Sequence, residues 1–194
     1  MIIGFSGAAG SGKTTLVNEV AKVLRSKGYN VATVTNTARE VLETYRKHLG
    51  IKDLKEIREK KLLDFQLSCL IHQTWKEYCA KNQSEIVLAD RTIYDHLFYL
   101  LFYYRPNNNT VPLIEYFSTF NHFEKRGERY RLIFFCKAPE SIKLDGVRDP
   151  DVLYTPVQES VIRMLLPDYY TVDWCPLEDR VKIVLSVLKD EGII

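Results

Sequence analysis

The residues best placed to do chemistry open the chain: Gly7-Ala8-Ala9-Gly10-Ser11-Gly12-Lys13-Thr14, followed by Thr15. Their spacing fits G-x-x-x-x-G-K-[ST] without a mismatch, the pattern of a phosphate-binding loop. Gly7, Gly10 and Gly12 free the backbone to bend and approach an anion, so that several N–H groups can point inward. A helix starting at the end of the loop adds its positive N-terminal end. Lys13 is expected to reach the β- and γ-phosphates, and the Thr14 hydroxyl to sit on Mg²⁺. The pattern has the required context. Met1 to Ser6 reads as a short buried strand, and Leu16, Val17, Val20, Ala21 and Leu24 recur on one helical face.

A phosphate loop indicates nucleotide binding and leaves the reaction open. Transfer to an acceptor also needs an acid near the γ-phosphate, cations around the transferred group, and an acceptor pocket. Asp90 closes the apolar run Glu85-Ile86-Val87-Leu88-Ala89-Asp90 and is followed at once by Arg91. A carboxylate there can take a proton from an acceptor hydroxyl or hold Mg²⁺ through water. Arg91 can pair with phosphate in two-pronged fashion; the plainer reading is an Asp–Arg ion pair at a strand end. Arg39, just beyond the second strand, can clamp an acceptor or serve its own helix, and Asn36 can bind a base edge or hydroxyl but cannot take a proton. Arg148 sits in the polar loop Leu144 to Asp151 and can close over phosphates, or be a solvated loop charge. Arg163 is a second, weaker candidate for the same task. Asp95 can cap the next helix or, less directly, act as the base.

The elements that must position these residues alternate. Strands are expected at Met1 to Ser6, Asn30 to Thr35, Glu85 to Asp90, Tyr130 to Lys137 and Tyr169 to Val172. Helices fall between them; the first stops near Lys27-Gly28, and the last carries the stripe Leu177, Val181, Val184, Leu185, Leu188. Gly50 interrupts the helix that begins near Thr37. From Leu54 a long helix is expected to pack Leu63, Leu67, Leu70, Ile71, Thr74, Trp75 and Tyr78 against a sheet. Such alternation implies a five-stranded parallel sheet with helices on both faces, and open sheets of this kind bind ligands at the carboxyl ends of their strands. The middle third is rich in aromatics. Most are packing residues; Tyr94 and Tyr99, nearest Asp90-Arg91, are candidates to stack on an acceptor base. His96 is either a pocket residue or a polar group at a helix start.

At 194 residues the chain reads as one domain, residues 1–194, with a lid near 141–166. A net charge of +2 argues for neither nucleic acid nor membrane as the main partner. The four cysteines are scattered without a CxxC pair, which favours reduced thiols over disulfides or zinc. A strand beginning at Met1 leaves no room for a signal peptide, and no apolar run reaches the ~20 residues that span a bilayer. A cytoplasmic location is expected.

The loop, Thr37-Ala38-Arg39-Glu40, Asp90-Arg91-Thr92-Ile93-Tyr94-Asp95 and Asp145-Gly146-Val147-Arg148 occur in one order along the chain. In this the chain resembles the P-loop kinases that include nicotinamide riboside kinase-type domains, and more broadly nucleoside and nucleotide kinases. The resemblance implies a P-loop NTPase fold of the nucleoside monophosphate kinase type, with ATP and Mg²⁺ as cofactors. It implies an acceptor that is a nucleoside, a nucleotide or a related hydroxyl. Lys13, Asp90, Arg91 and Arg148 would then be catalytic, Gly7 to Thr15 would hold the donor, and Thr14 and Asp90 the metal. Asn36, Arg39, Asp90, Arg91, Tyr94 and Asp95 would face the acceptor. The chain departs from the family pattern at Asn36, where a glutamate is common, and at Thr155, where a second lid arginine is common. Two other readings stay open: a polynucleotide or modified-base DNA kinase, and a nucleotide-dependent ATPase or switch without an acceptor.

Overall fold

The structure, a computed structural model, describes residues 1–104, 111–124, 128–139 and 155–194. Five strands, β1 (Ile2–Ser6), β2 (Val31–Val34), β3 (Ile86–Asp90), β4 (Leu132–Cys136) and β5 (Tyr170–Val172), form one sheet in the order β2-β3-β1-β4-β5. Every pairing is parallel. The helices are α1 (Lys13–Ser26), α2 (Thr37–Leu49), α3 (Leu54–Lys60), α4 (Leu62–Lys81), α5 (Ile93–Tyr103), α6 (Val111–Glu124), α7 (Thr155–Leu165) and α8 (Leu177–Asp190). This is the expected α/β architecture.

Strand alternation divides the core in two. Ile3, Phe5, Ile86, Leu88, Leu132, Phe134 and Cys136 face α1 and α8, where they meet Leu16, Val20, Val181 and Val184. Their neighbours Ile2, Val87, Ala89, Ile133 and Phe135 face the other layer, built from α4, α5, α6 and α7. Both faces of the central strands are thus covered, which is why their sequences read as unbroken apolar runs. A smaller cluster of Val41, Tyr45, Ile51, Ile57, Phe65 and Cys69 closes α2 and α3 onto α4.

Two expectations are corrected here. The long helix from Leu54 is two, α3 and α4, separated at Lys61, whose φ of −141° lies outside the helical range. The buried face of α4 is also rotated from the apolar stripe. Ile71, Trp75 and Tyr78 are exposed, while Phe65, Gln66, Cys69, Leu70, Gln73, Thr74 and Glu77 are buried. Reading apolar residues as the buried face fails when polar side chains bond one another inside the protein, as Gln73 and Glu77 do.

The first strand connection passes over β3 and the third passes over β1, so the chain reverses direction of travel between β1 and β3. Their register sets Phe5 opposite Asp90. The carboxyl end of β3 therefore lies beside the start of the glycine loop. No described helix is long and apolar enough to cross a membrane.

Candidate active site

The loop between β1 and α1 holds three glycines at positive φ: Gly7 at 141°, Gly10 at 84° and Gly12 at 72°. At Gly7 a Cβ would run into the Cys136 carbonyl oxygen at the end of β4. At Gly12 it would stand 2.8 Å from Arg180 Nη1 and 3.3 Å from the Trp174 ring. Glycine is required at Gly7 by conformation and by space, and at Gly12 by its left-handed conformation.

The Lys13 ammonium lies inside the turn. It donates to Gly7 O at 2.6 Å, Ala8 O at 2.8 Å and Ser11 Oγ at 3.0 Å, with the residue only 5% exposed. Ala8 and Ser11 are buried, whereas Ala9, Thr14 and Thr15 are exposed at the loop's mouth. Thr14 Oγ1 donates to Asp90 Oδ2 at 2.5 Å. A hydroxyl and a carboxylate from separate parts of the chain converge there, at the amino end of α1. Hard oxygen donors of this kind suit Mg²⁺, which takes one or two protein oxygens and fills the rest of its shell with phosphate and water.

Arg91 follows in a strained backbone, φ 84°, held by its own N–H on Phe5 O at 3.0 Å. A positive φ at arginine is uncommon and costs about 1–2 kcal/mol. It turns the guanidinium onto Tyr99, whose ring centroid is 4.9 Å away and whose side chain it also bonds. Burial works against the charge of Arg91, but Tyr99, Asp95 and Asp90 outweigh it and hold the group charged above its ordinary range. Its buried Nη1 has no hydrogen-bond partner among the described residues. His96 lies close by, 1% exposed; burial first, and Arg91 second, push its pKa down to about 3.

Two sequence-predicted acceptor contacts are corrected. Tyr94 points into the core, 4% exposed, edge-on to Phe120 and with its hydroxyl on Glu124 Oε1 at 3.0 Å. Its place in the first turn of α5 sends it toward α6; Tyr99 is the ring that meets Arg91. Asp95 is fully buried and its oxygens are taken. Oδ1 accepts from Gly7 N at 3.2 Å, and Oδ2 from Thr92 N at 2.7 Å and Thr92 Oγ1 at 2.8 Å. It caps α5 and braces the glycine loop in one stroke.

Asn36 and Arg39 are exposed at the start of α2, at the carboxyl end of β2. Asn36 adopts the left-handed conformation, φ 63°, and its side chain makes no cap bond to α2. Arg163 lies over the Phe135 ring, 4.5 Å from its centroid, with its Nε buried and unpartnered among the described residues. Glu159 Oε1 accepts from Ala138 N at 2.6 Å and ties α7 to the end of β4. Arg148 and residues 141–154 of the expected lid lie outside the described residues.

Some residues at the site were missed from the sequence. Arg180, 2% exposed, presses against Gly12 and stacks 5.1 Å from the ring centroid of Trp174, itself 49% exposed. The guanidinium also bonds the Cys136 thiol, whose pKa burial pushes up to about 11. An ion pair between Lys137 and Asp173 holds the turn that carries Trp174. Only the placement of this turn at the carboxyl end of β5 could have signalled it. Gln73 and Glu77, on α4, form a buried network behind Arg91. Their signal was faint: an amide and an acid one helical turn apart, on a helix that carries other polar residues as well.

Comparison with known proteins supports the fold. A family model described as AAA domain matches residues 2–165. No curated protein matches the chain. Among solved structures, it is similar to deoxyadenosine kinase from M. mycoides with products dCMP and a flexible dCDP bound. The TM-score is 0.61 at 15% identity, over 98% of this chain and 100% of that one. The same enzyme with bound dATP gives 0.61 at 16% identity, over 97% and 100%. At such identities the likeness is one of fold, that of a P-loop kinase. With a family model spanning most of its length and a phosphate loop built as described, this chain belongs to the AAA domain family of P-loop NTPases.

Proposed function

We propose that this protein is a kinase that transfers the γ-phosphate of ATP, with Mg²⁺, to a hydroxyl or phosphate of a nucleoside, nucleotide or related small acceptor. The observation that carries this reading is the 2.5 Å contact between Thr14 Oγ1 and Asp90 Oδ2. It sets a carboxylate at the mouth of the phosphate loop, with an arginine the next residue along the chain, and transfer needs an acid and a cation. The fold likeness to a deoxyadenosine kinase supports the reading.

Each residue then has a task. The loop amides other than those of Gly7 and Ser11, which are bonded within the protein, would bind the donor phosphates together with the Lys13 ammonium once it leaves its three partners in the turn, and the Thr14 hydroxyl and Asp90 would hold the metal. Bound there, Mg²⁺ would supply neutralisation of the charge on the transferred phosphate. As the alternative to holding the metal, Asp90 takes the proton of the acceptor hydroxyl. Arg91, fixed by its backbone and by Tyr99, is the cation assigned to the acceptor or the transferred group. Asn36 and Arg39 approach the acceptor from α2, and Arg148, outside the described residues, keeps the phosphate-binding role that the family resemblance implies.

The test is a transfer screen with ATP and Mg²⁺ over ribonucleosides, deoxynucleosides, their monophosphates, nicotinamide riboside, and 5′-hydroxyl or modified-base oligonucleotides. Labelling of one small acceptor, reduced by ~10²-fold or more in Asp90→Asn while ATP still binds, is expected. Labelling confined to an oligonucleotide would make this a nucleic-acid kinase. ATP binding without any labelled acceptor would replace the kinase with a nucleotide-dependent switch.

A further inference from the structure

The β2–α2 turn and the β3–α5 turn carry different parts of the candidate site, Asn36 and Arg39 on one, Asp90 and Arg91 on the other. Neither turn is self-sufficient. Helix α2 starts without a side-chain cap, and Arg91 sits in a conformation that its own backbone disfavours. Both are held from behind by one side chain. Gln73, fully buried on α4, accepts from Thr37 Oγ1 at 2.5 Å, and Thr37 is the first residue of α2. Its Nε2 donates to Arg91 O at 3.2 Å and to Glu77 Oε1 at 2.9 Å.

The partners settle how this amide is oriented. The Arg91 carbonyl and the Glu77 carboxylate can only accept, so both hydrogens of Nε2 are used, and the Thr37 hydroxyl must donate to Oε1. Glu77 fixes Gln73 in turn. Fully buried, it accepts from Arg129 Nε at 2.8 Å, Arg129 Nη2 at 2.5 Å and Tyr130 Oη at 3.0 Å. Tyr130 Oη also accepts from Ile93 N, the first residue of α5, at 2.9 Å. One helical turn along, Lys76 Nζ donates to Thr35 O at 2.7 Å and binds the Glu40 carboxylate. The chain of bonds therefore runs from the start of α2, through α4, to the start of α5. It is buried throughout its centre, where a polar group that loses its partner has no water to replace it.

We propose that Gln73 is a positioning residue that locks the acceptor-side start of α2 to the Asp90-Arg91 turn, so that the two flanks of the acceptor site move as one body. No isosteric neutral side chain other than an amide can do this, because the task needs one acceptor and two donors at a single position. Gln73 touches neither donor nor acceptor; it acts through Thr37 and Arg91.

The proposal is tested with Gln73→Met, which keeps the volume and removes all three bonds, and Thr37→Val, which removes the α2 tether alone. Hydrogen exchange of the unliganded full chain is read first. In Gln73→Met the amides of residues 37–41 and of residues 91–95 are expected to exchange at least tenfold faster, with β1 and α1 unchanged. Thr37→Val should loosen only the first of these segments. The second readout is steady-state kinetics on the acceptor found by the transfer screen, and this arm alone rests on the kinase reading. Gln73→Met should raise the acceptor KM and lower kcat together. Thr37→Val should raise the acceptor KM only, and neither variant should move the ATP KM more than twofold. Unchanged exchange in both segments, or acceleration spread evenly over the chain, overturns the proposal whatever the enzyme's reaction. Selective loosening with wild-type acceptor kinetics overturns it as well, leaving Gln73 a purely structural residue.

Discussion

Asp95→Asn changes one atom and tests whether the glycine loop is braced from α5. Asp95 takes three donors in a fully buried place: Gly7 N on Oδ1, Thr92 N and Thr92 Oγ1 on Oδ2. An asparagine amide has one acceptor oxygen, so one side of it must turn an N–H against an N–H. The cheaper orientation keeps oxygen toward Thr92, where the bonds are 2.7 and 2.8 Å, and faces nitrogen toward Gly7 N, where the bond is 3.2 Å. One bond to a charged acceptor is then lost, two buried donors oppose each other, and the remaining bonds lose their charge assistance. Together these amount to about 3 kcal/mol. For a domain of this size ~1 kcal/mol moves Tm by ~2–4 °C, so a fall of ~6–12 °C is expected by thermal unfolding. Because the strain lands on Gly7, ATP affinity should weaken by about tenfold or more, one decade for each ~1.4 kcal/mol expressed at the loop. Thr92→Val is the control: it removes a bond at the α5 cap and leaves Gly7 N on Oδ1, so Tm should fall with ATP affinity nearly unchanged. An Asp95→Asn protein with Tm within about 2 °C of wild type and ATP affinity within about twofold would refute the brace.

Two further outcomes follow from the same geometry. Gly12→Ala should destabilise the protein by about 2 kcal/mol or more in urea unfolding, since it combines a left-handed backbone, costing ~1–2 kcal/mol, with a Cβ set 2.8 Å from Arg180 Nη1. ATP binding should fall with it, and a Gly12→Ala protein as stable as wild type would show that Arg180 does not press on the loop. His96 gives a pH signature. With its folded pKa near 3 and the ordinary value of 6.5 when unfolded, the folded state takes up its proton later as pH falls. Stability is therefore whole above about pH 6.5 and declines below it, by ~1.4 kcal/mol per pH unit, until about pH 3. Between about pH 7.5 and pH 5 that is about 2 kcal/mol, which His96→Gln should remove; equal pH slopes in the two proteins would contradict the burial of a neutral imidazole.

The ease of reading this chain was uneven, for physical reasons. The glycine loop was legible because backbone freedom, the lysine and the hydroxyl must be contiguous, and because Leu16, Val17 and Val20 announce the helix behind it. Strand positions were legible because β1, β3 and β4 are covered on both faces and so are apolar without a break. The polar wall behind Arg91 was not. Gln73, Glu77, Arg129 and Tyr130 lie on α4 and just before β4, roughly fifty positions apart, and nothing local says that they satisfy one another. The same blindness misplaced the buried face of α4, where Trp75 and Tyr78 stack on the outside instead. Tyr94 and Tyr99 looked alike in sequence; five residues on a helix turn the side chain to another face, and only α6 on one side and Arg91 on the other decided which ring meets which partner.

By itself the sequence determined that a polyphosphate loop joins a strand to a helix, that strands and helices alternate into a parallel sheet, and that an acid followed by an arginine ends the third strand. These follow from short-range facts: backbone permissiveness, side-chain period and the chemistry of adjacent residues. The order β2-β3-β1-β4-β5 and the register of Phe5 with Asp90 belong to the tertiary structure alone. Which strands become neighbours depends on how each helix buries its apolar face against the sheet, a sum over contacts far apart in the chain. That sum brings Asp90 onto Thr14, Asp95 onto Gly7 and Arg180 onto Gly12, and makes one site from residues that the sequence names separately or, for Arg180, not at all.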